Sequence, residues 1–469
     1  MTPCASTIAG PGQTTASRRR FLQTGAAALA AASLPGAARL RAAANPNGKV
    51  QHACIGVGGM MGLNDVRQIQ SHPEAEITAL CDIDQRHLAA AAEVAPNARH
   101  YRDWREMLDA EGDRIDSVNV TVPDHMHASI AAAAIRAGKH VYCQKPMCHS
   151  VAEVRLLTEL AKKHRVVSQL GNQHSSGVGD RMGVEYLRSG VIGEVRHAYL
   201  CSNRASGMRY RLDDPAPPTT EAPGELDWDL FLGVAPERPF AHGVYHPAMW
   251  RTWLDFGTGW SGDIGCHILS AVWKGLDLSA PASVSAKVQQ SWIDSPERRA
   301  QLWPQANHIS WQFDGHPASG GKPFTIEWFD GIEEGFYPPK EIMDQFPGDR
   351  FPEEVAVVVG ENGMLVLPHG SGPILLPRDK FAETPRPEVT GENHYHAFIN
   401  AIREGTPLES DFSVSGPMTE TVLLGTVAVR VPGETLQWDA AAMAITNHEQ
   451  AHQLLRRDYR DGWQVDGLG

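Results

Sequence analysis

The sequence has no long basic run, no CxxC pair, no internal repeat and no apolar stretch long enough to span a bilayer. Each absence removes a class of function. Without a long basic run, and with a net charge of −13, neither nucleic acid nor an anionic membrane surface is an expected partner. The seven cysteines (Cys4, Cys54, Cys81, Cys143, Cys148, Cys201, Cys266) follow no disulfide-scaffold or zinc-ribbon spacing; beside apolar neighbours they read as buried thiols, Cys266 included. What is present is ordinary for a globular chain: 42% hydrophobic and 21% charged residues over 469 positions, enough for two or three domains.

The first 44 residues differ from the rest. Arg18, Arg19, Arg20, Arg39 and Arg41 have no acidic counterpart there, and leaving them out takes the remainder from −13 to −18. Ser17–Leu22 (SRRRFL) is a twin-arginine pattern, followed by fourteen uncharged residues from Gly25 to Ala38 and by the small residues Ala42–Ala44. A spanning helix needs about 20 apolar residues. Charge, short apolar run and small-residue site, in that order, are those of an export signal. Residues 1–44 are therefore expected to be a twin-arginine leader read by the Tat export machinery, and the mature chain to be periplasmic. That route carries folded proteins, often with cofactor aboard.

Beyond the leader, apolar runs at 49–58, 76–82, 115–122, 139–143 and 166–170 alternate with helix-like segments at 60–71, 85–94, 103–111, 126–137 and 151–164. Strand and helix signals at this spacing predict βαβ units and a doubly wound parallel sheet. Past residue 172 the pattern changes. A loop-like stretch rich in Pro, Gly, Trp and charge occupies 203–260, and alternating runs follow at 282–292, 306–313, 323–329, 354–359 and 363–367, with helices at 392–404 and 413–430. The predicted architecture is α/β: a dinucleotide-binding Rossmann domain over 45–170, then an α/β domain with an open, largely antiparallel sheet over 171–469.

The first strand ends in Gly56-Val57-Gly58-Gly59-Met60-Met61-Gly62 and a helix opens there. Glycines after a strand let the backbone approach a pyrophosphate, and the helix N-terminus offers free amides to it. Gly56, Gly58, Gly59, Met60 and Met61 are the candidate loop. Met61 stands where glycine or alanine is usual, and Gly62 comes one residue late. Asp82 closes the second strand twenty residues later, where a carboxylate accepts both ribose hydroxyls of NAD and repels the 2′-phosphate of NADP, although Arg86 is near in sequence.

Two later stretches carry chemistry: Pro123-Asp124-His125-Met126-His127 with Cys143-Gln144-Lys145-Pro146, and Gly262-Asp263-Ile264-Gly265-Cys266-His267. With the glycine loop and CDID ahead of them, and Gly416–Val422 (GPMTETV) behind, the chain resembles the exported Gfo/Idh/MocA oxidoreductases over nearly its whole mature length. The resemblance implies an EKP motif, here Gln144-Lys145-Pro146 with an amide replacing the carboxylate, and a D-x-x-x-H pair, here Asp263 and His267, one helical turn apart. Oxidation of an alcohol by NAD needs a base for the hydroxyl proton. His267 and Lys145 are the candidates, and Asp263 is expected to hold a second hydroxyl or to orient His267. Pro123 and His127 are expected on the cofactor side. His174, Tyr245, His246, Trp250 and Arg251 are candidates for the sugar. His125 and His127 pair without a third ligand at metal spacing, so no metal is expected.

Three functions fit these residues: an NAD-dependent oxidoreductase acting on a sugar or sugar derivative; a glycosidase or lyase that keeps its NAD and oxidises transiently; and a sugar-binding protein with structural NAD. The resemblance also allows homo-oligomers through the open sheet.

Overall fold

The computed structural model describes residues 48–203, 218–331, 335–346 and 350–468, so the leader expected over 1–44 lies outside the described residues. The first half builds β1 (Val50–Ile55), α1 (Gly62–Gln70), β2 (Ala75–Cys81), α2 (Gln85–Ala92), β3 (Arg99–Tyr101), α3 (Trp104–Glu111), β4 (Ser117–Val120), α4 (Asp124–Arg136), β5 (His140–Gln144), α5 (Val151–His164) and β6 (Ser168–Gly171). All its ladders are parallel, in the order β3-β2-β1-β4-β5-β6. Helices cover both faces of such a sheet, so its inner strands are buried throughout, as β4 is, and read as continuous apolar runs. The helices start where a side chain accepts the first free amides. Asp84 caps α2, Asp103 caps α3, and Ser150 with Glu153 forms a capping box on α5. Strand β3, only Arg99-His100-Tyr101 and mostly exposed, has no apolar run to announce it.

The second sheet has nine strands in the order β13-β12-β11-β7-β10-β9-β8-β14-β15. Its strands are β7 (Val195–Ser202), β8 (Ser283–Val288), β9 (Asn307–Phe313), β10 (Phe324–Asp330), β11 (Glu354–Gly360), β12 (Met364–Pro368), β13 (Ile374–Leu376), β14 (Thr435–Asp439) and β15 (Ala444–Ile445). Only the β7–β10 ladder is parallel. Strand β9 buries alternate residues, the signature of a sheet with one covered face. The cover consists of α6 (Val178–Arg188), α8 (Gly259–Leu276) and α10 (Phe412–Arg430), and α10 also packs on α5 of the first half. Glycines set this spacing: a Cβ on Gly265 would lie 3.0 Å from the Val422 side chain, and one on Gly425 would lie 2.6 Å from the Trp311 ring.

Two later segments return to the parallel sheet. Helix α9 (His394–Glu404) lays Tyr395, Phe398, Ile399 and Ile402 against Val50, Cys54, Val66 and Leu80 in one buried cluster. Residues 218–256, with the short α7 (Trp228–Leu232), form an aromatic knot that includes Phe231, Tyr245, Trp253 and Phe256. This knot is tied to the turn after β2 by backbone bonds from Gln85 N–H to Glu225 O and from Asp227 N–H to Ile83 O, both 3.0 Å. Residues 204–217 of the loop-like stretch lie outside the described residues. The six described cysteines are buried free thiols, and among the described residues no helix is long and apolar enough to cross a membrane.

Phe398 is fully buried. Phe398→Ala is expected to lower the unfolding free energy by about 3–5 kcal/mol in urea titration; a loss below about 1 kcal/mol would mean that α9 is not part of the parallel-sheet core.

Candidate functional site

Strand order reverses between β1 and β4, and the crevice at the carboxyl ends of these strands is where a doubly wound sheet binds ligands. The glycine loop fills its mouth. Gly56 has φ +79°, and a Cβ there would stand 2.2 Å from Thr121 O. A Cβ on Gly62 would stand 2.6 Å from the Val57 carbonyl carbon. Gly62 thus makes the tight helix–strand packing reserved for the third glycine of the motif. The one-residue delay leaves Met61 at the N-cap of α1, facing the cleft. The Asp82 carboxylate is held to the loop: Oδ2 accepts the N–H groups of Val57 and Gly58 at 2.9 and 3.1 Å. Arg86 does not compete for a phosphate, because it is paired with Asp84 at 2.9 and 2.6 Å. The His87 ring lies over Gly58, where a Cβ would come within 2.0 Å of it.

Gly56, Gly58, Gly59, Met60, Met61 and Asp82 line one wall of the cleft, and Pro123 and Lys145 close its inner end. There, after a cis Lys145–Pro146 peptide, Lys145 Nζ donates to Asp263 Oδ1 at 2.8 Å. Arg251 Nε donates to the same oxygen at 3.3 Å and stacks over Trp250 at 4.2 Å. Burial opposes ionisation of Asp263, but the two cations outweigh it and hold its pKa below the usual value. The opposite holds for Asp124, a residue that sequence reasoning quoted without a role. Burial first, then the Asp263 charge, pushes the Asp124 carboxyl up. Its Oδ2 accepts the Thr258 N–H and Oγ–H at 3.1 and 2.9 Å, anchoring the start of α8, while Oδ1 is buried without a partner.

The carboxylate missing at Gln144 is supplied from elsewhere. Gln144 Nε2 donates to Asp65 Oδ2 at 2.8 Å, and Asp65 also accepts from Thr121 Oγ and Tyr395 Oη, each at 2.7 Å. Burial raises Asp65 to about 6 against these donors. Its signal in sequence was an acid on the inner face of the first helix, unreadable without the fold.

The structure separates the predicted pair. Asp263 serves Lys145 and Arg251 rather than orienting His267, whose Nδ1 is buried without a hydrogen-bond partner. His267 faces a neighbouring cavity that it shares with His174 and with His369, a residue sequence reasoning missed because it follows β12 alone in a glycine-rich turn. Burial, then Lys145, lowers the His267 pKa well below the ordinary histidine value. Other expectations are corrected. His127 does not reach the cofactor cleft; it is buried, with its ring nitrogens 2.8 Å from Pro146 O and 2.9 Å from Val122 O, so it braces the Lys145 turn. Tyr245 is core, packed on Trp228, Trp253 and Phe256. His125 is likewise core, against Phe231 and Phe256. His246, Trp250 and Arg251 do line the cleft, and His246 Nε2 sits 3.2 Å from Asp84 Oδ2. Cys266 is packing: burial pushes its thiol up to about 12, and its Sγ is 3.7 Å from Thr419 Oγ1.

Residues 50–172 match the NAD-binding Rossmann fold of the oxidoreductase family GFO_IDH_MocA, and residues 211–303 match that family's C-terminal alpha/beta domain. Both segments belong to the Gfo/Idh/MocA family by these matches. A levoglucosan dehydrogenase of Pseudarthrobacter phenanthrenivorans is 30% identical over 42% of this chain and 41% of its own length. An inositol 2-dehydrogenase of Salmonella typhimurium is 28% identical over 30% of this chain and 42% of its own. A glycosyl hydrolase family 109 protein of Shewanella amazonensis is 26% identical over 38% and 44%. The chain thus spans less than half the length of these curated relatives. Among solved structures, the WlbA dehydrogenase of Bordetella pertussis, in complex with NADH and UDP-GlcNAcA, superposes with a TM-score of 0.58 at 16% identity, covering 83% of this chain and 99% of that one. An inositol dehydrogenase homolog of Azotobacter vinelandii, complexed with NADH and myo-inositol, gives 0.54 at 15% identity over 83% and 98%. These two share the fold.

A carboxyl raised by burial costs the folded state nothing below the ordinary aspartate pKa and progressively more as pH rises toward its folded value. Asp124→Asn is therefore expected to gain stability relative to the parent between pH 5 and pH 8, read by urea unfolding at each pH. A difference that is flat in pH would show Asp124 ionised throughout.

Proposed function

We propose that this chain is an NAD-dependent oxidoreductase acting on a hydroxyl of a sugar or sugar derivative. The observation that carries the reading is the buried Lys145–Asp263 pair at the inner end of a cleft whose mouth is the glycine loop. The residues fit the cofactor. The loop amides and the start of α1 suit a pyrophosphate, Asp82 suits the ribose, and Arg86 is taken up by Asp84. NAD, when bound, supplies the hydride acceptor.

The chain's own residues handle the proton. Lys145, an ammonium held by Asp263, presents Nζ to the sugar hydroxyl and steadies the negative charge that develops on its oxygen. Arg251 shares that carboxylate, so Asp263 stays ionised throughout. Trp250 and Arg251 offer a flat face and a donor to the ring, and the histidine cavity takes its far side. His267, held neutral by burial, takes the proton of the hydroxyl that is oxidised. The dehydrogenase names of the first two relatives above support a carbohydrate alcohol as substrate.

A second reading, a glycosidase or lyase that retains NAD, is favoured by one feature. Leu230, Phe231, His246 and Trp250 of the 218–256 segment line the cleft, and the Gln85–Glu225 and Ile83–Asp227 backbone bonds tie that segment to the turn after β2, an enclosure that would slow release of a bound nucleotide. We further infer that residues 1–44 are a twin-arginine leader, that the chain is exported with its cofactor loaded, and that the functional division falls near residue 170. Lysines in place of Arg18 and Arg19 should then hold it in the cytoplasm. Oligomers through the open sheet follow only from the family resemblance.

The test is kinetic. Lys145→Ala is expected to lower turnover of a responsive sugar about 10²–10⁴-fold while the NAD titration shifts less than about threefold, under 1 kcal/mol. Full activity in Lys145→Ala would remove this residue from the chemistry. Absorbance at 340 nm separates the two readings: stoichiometric NADH from added NAD marks net oxidation, and product without NADH marks a retained cofactor.

A further inference from the structure

A cavity of about 270 Å³ opens between the start of α5, the end of α10 and the C-terminal stretch beyond β15. It shares no lining residue with the cofactor cleft or with the histidine cavity. Its wall carries three guanidiniums, Arg430, Arg456 and Arg457, against two carboxylates, Asp255 and Asp458. Asp255 is already paired with Arg238. Positive charge is therefore in surplus there, in a chain whose net charge is −13.

The protein does not neutralise these cations itself. Among the described residues Arg430 makes no hydrogen bond and no ion pair, although it ends α10 beside that helix's free carbonyls. Burial lowers its pKa, and only the Asp255 charge works against that. Arg457 Nη2 donates to Asp255 O at 3.1 Å, while its Nη1 is buried without a partner. Both guanidiniums act on one ring on the cavity wall. His149, with Nε2 at 2.8 Å from Leu254 O, is driven well below the ordinary histidine pKa by burial first, then by Arg457, with Arg430 among the lesser causes. Cations withdrawn from water without an anion are costly, and two beside one cavity also repel. An oxyanion that offers oxygens to both forks of N–H donors removes both penalties.

We propose that this cavity binds inorganic phosphate between the guanidiniums of Arg430 and Arg457, with the exposed Arg456 adding positive charge. A doubly charged anion matches two cations. The ion ties the end of α10 to Leu254 and Asp255, just past Trp250 and Arg251, and so steadies one wall of the cleft without touching the reacting atoms. The inference does not rest on the redox reading, because phosphate binding is measured without turnover.

Equilibrium dialysis of the full chain against labelled inorganic phosphate, in saturating NAD so that the glycine loop is occupied, is expected to show saturable binding of one phosphate per chain. Arg430→Met and Arg457→Met should each weaken it about tenfold or more, as expected for a lost hydrogen bond to a charged group. Arg196→Gln, at an exposed arginine of β7 paired with Glu361, should not. Phosphate should raise the melting temperature of the parent and of Arg196→Gln but not of Arg430→Met, and chloride at equal ionic strength should not reproduce the rise. In chloride, Arg430→Met should melt no lower than the parent, because Arg430 bonds nothing within the protein. No saturable phosphate in the parent, unchanged affinity in either Met variant, a rise matched by chloride, or an Arg430→Met chain that melts well below the parent in chloride would each overturn the proposal.

Discussion

The site depends on one buried ion pair. Lys145 comes from the end of β5 in the parallel sheet and Asp263 from α8 on the second sheet; their side chains are 12% and 5% exposed and 2.8 Å apart. Removing Asp263 leaves the Lys145 ammonium desolvated and uncompensated, typically costing about 3–5 kcal/mol, whereas removing Lys145 leaves Asp263 with Arg251 alone. The pair therefore fixes how α8 lies against the parallel sheet. The rest follows from that placement. Gly265 lets α10 approach, Asp124 reaches across from α4 to hold Thr258 at the start of α8, and Arg251 is drawn to the same carboxylate.

Charge is distributed unevenly around this pair. Asp263 is kept ionised by two cations, while Asp124, nearby but with no cation bound to it, is pushed toward its neutral form. Two carboxyl groups whose surroundings drive their proton affinities apart are how a protein keeps a base and an acid in one site at one pH. In the neighbouring cavity His369 Nδ1 lies 3.0 Å from Glu354 Oε2, and burial keeps His267 neutral.

Much of this was legible in the sequence, and for a local reason. Strands buried on both faces are written as apolar runs, and the glycine loop and Asp82 lie within one βαβ unit, so spacing alone predicted them. The D-x-x-x-H spacing of Asp263 and His267 was equally visible, but Asp263 is taken by Lys145 and Arg251 while His267 lines the neighbouring cavity. What failed was whatever depends on contacts between distant residues. Asp65 answers Gln144 across 79 positions. His369 joins His174 and His267 only once β12 and α8 are stacked. Tyr245 and His127 had site-like neighbours in sequence, but their rings were claimed by an aromatic knot and by two backbone carbonyls. Strand β3 is too short and too exposed to leave a pattern.

The central claim, that the Lys145–Asp263 pair couples the two sheets, is tested most directly by a double-mutant cycle on unfolding free energy with Lys145→Met, Asp263→Asn and the double variant, all in the presence of saturating NAD. The account predicts that Asp263→Asn is strongly destabilising, that Lys145→Met costs less because Arg251 stays on the carboxylate, and that the double change costs less than their sum by about 2 kcal/mol or more, within the range for residues in direct contact. Additivity within about 0.5 kcal/mol, the behaviour of independent sites, would contradict it.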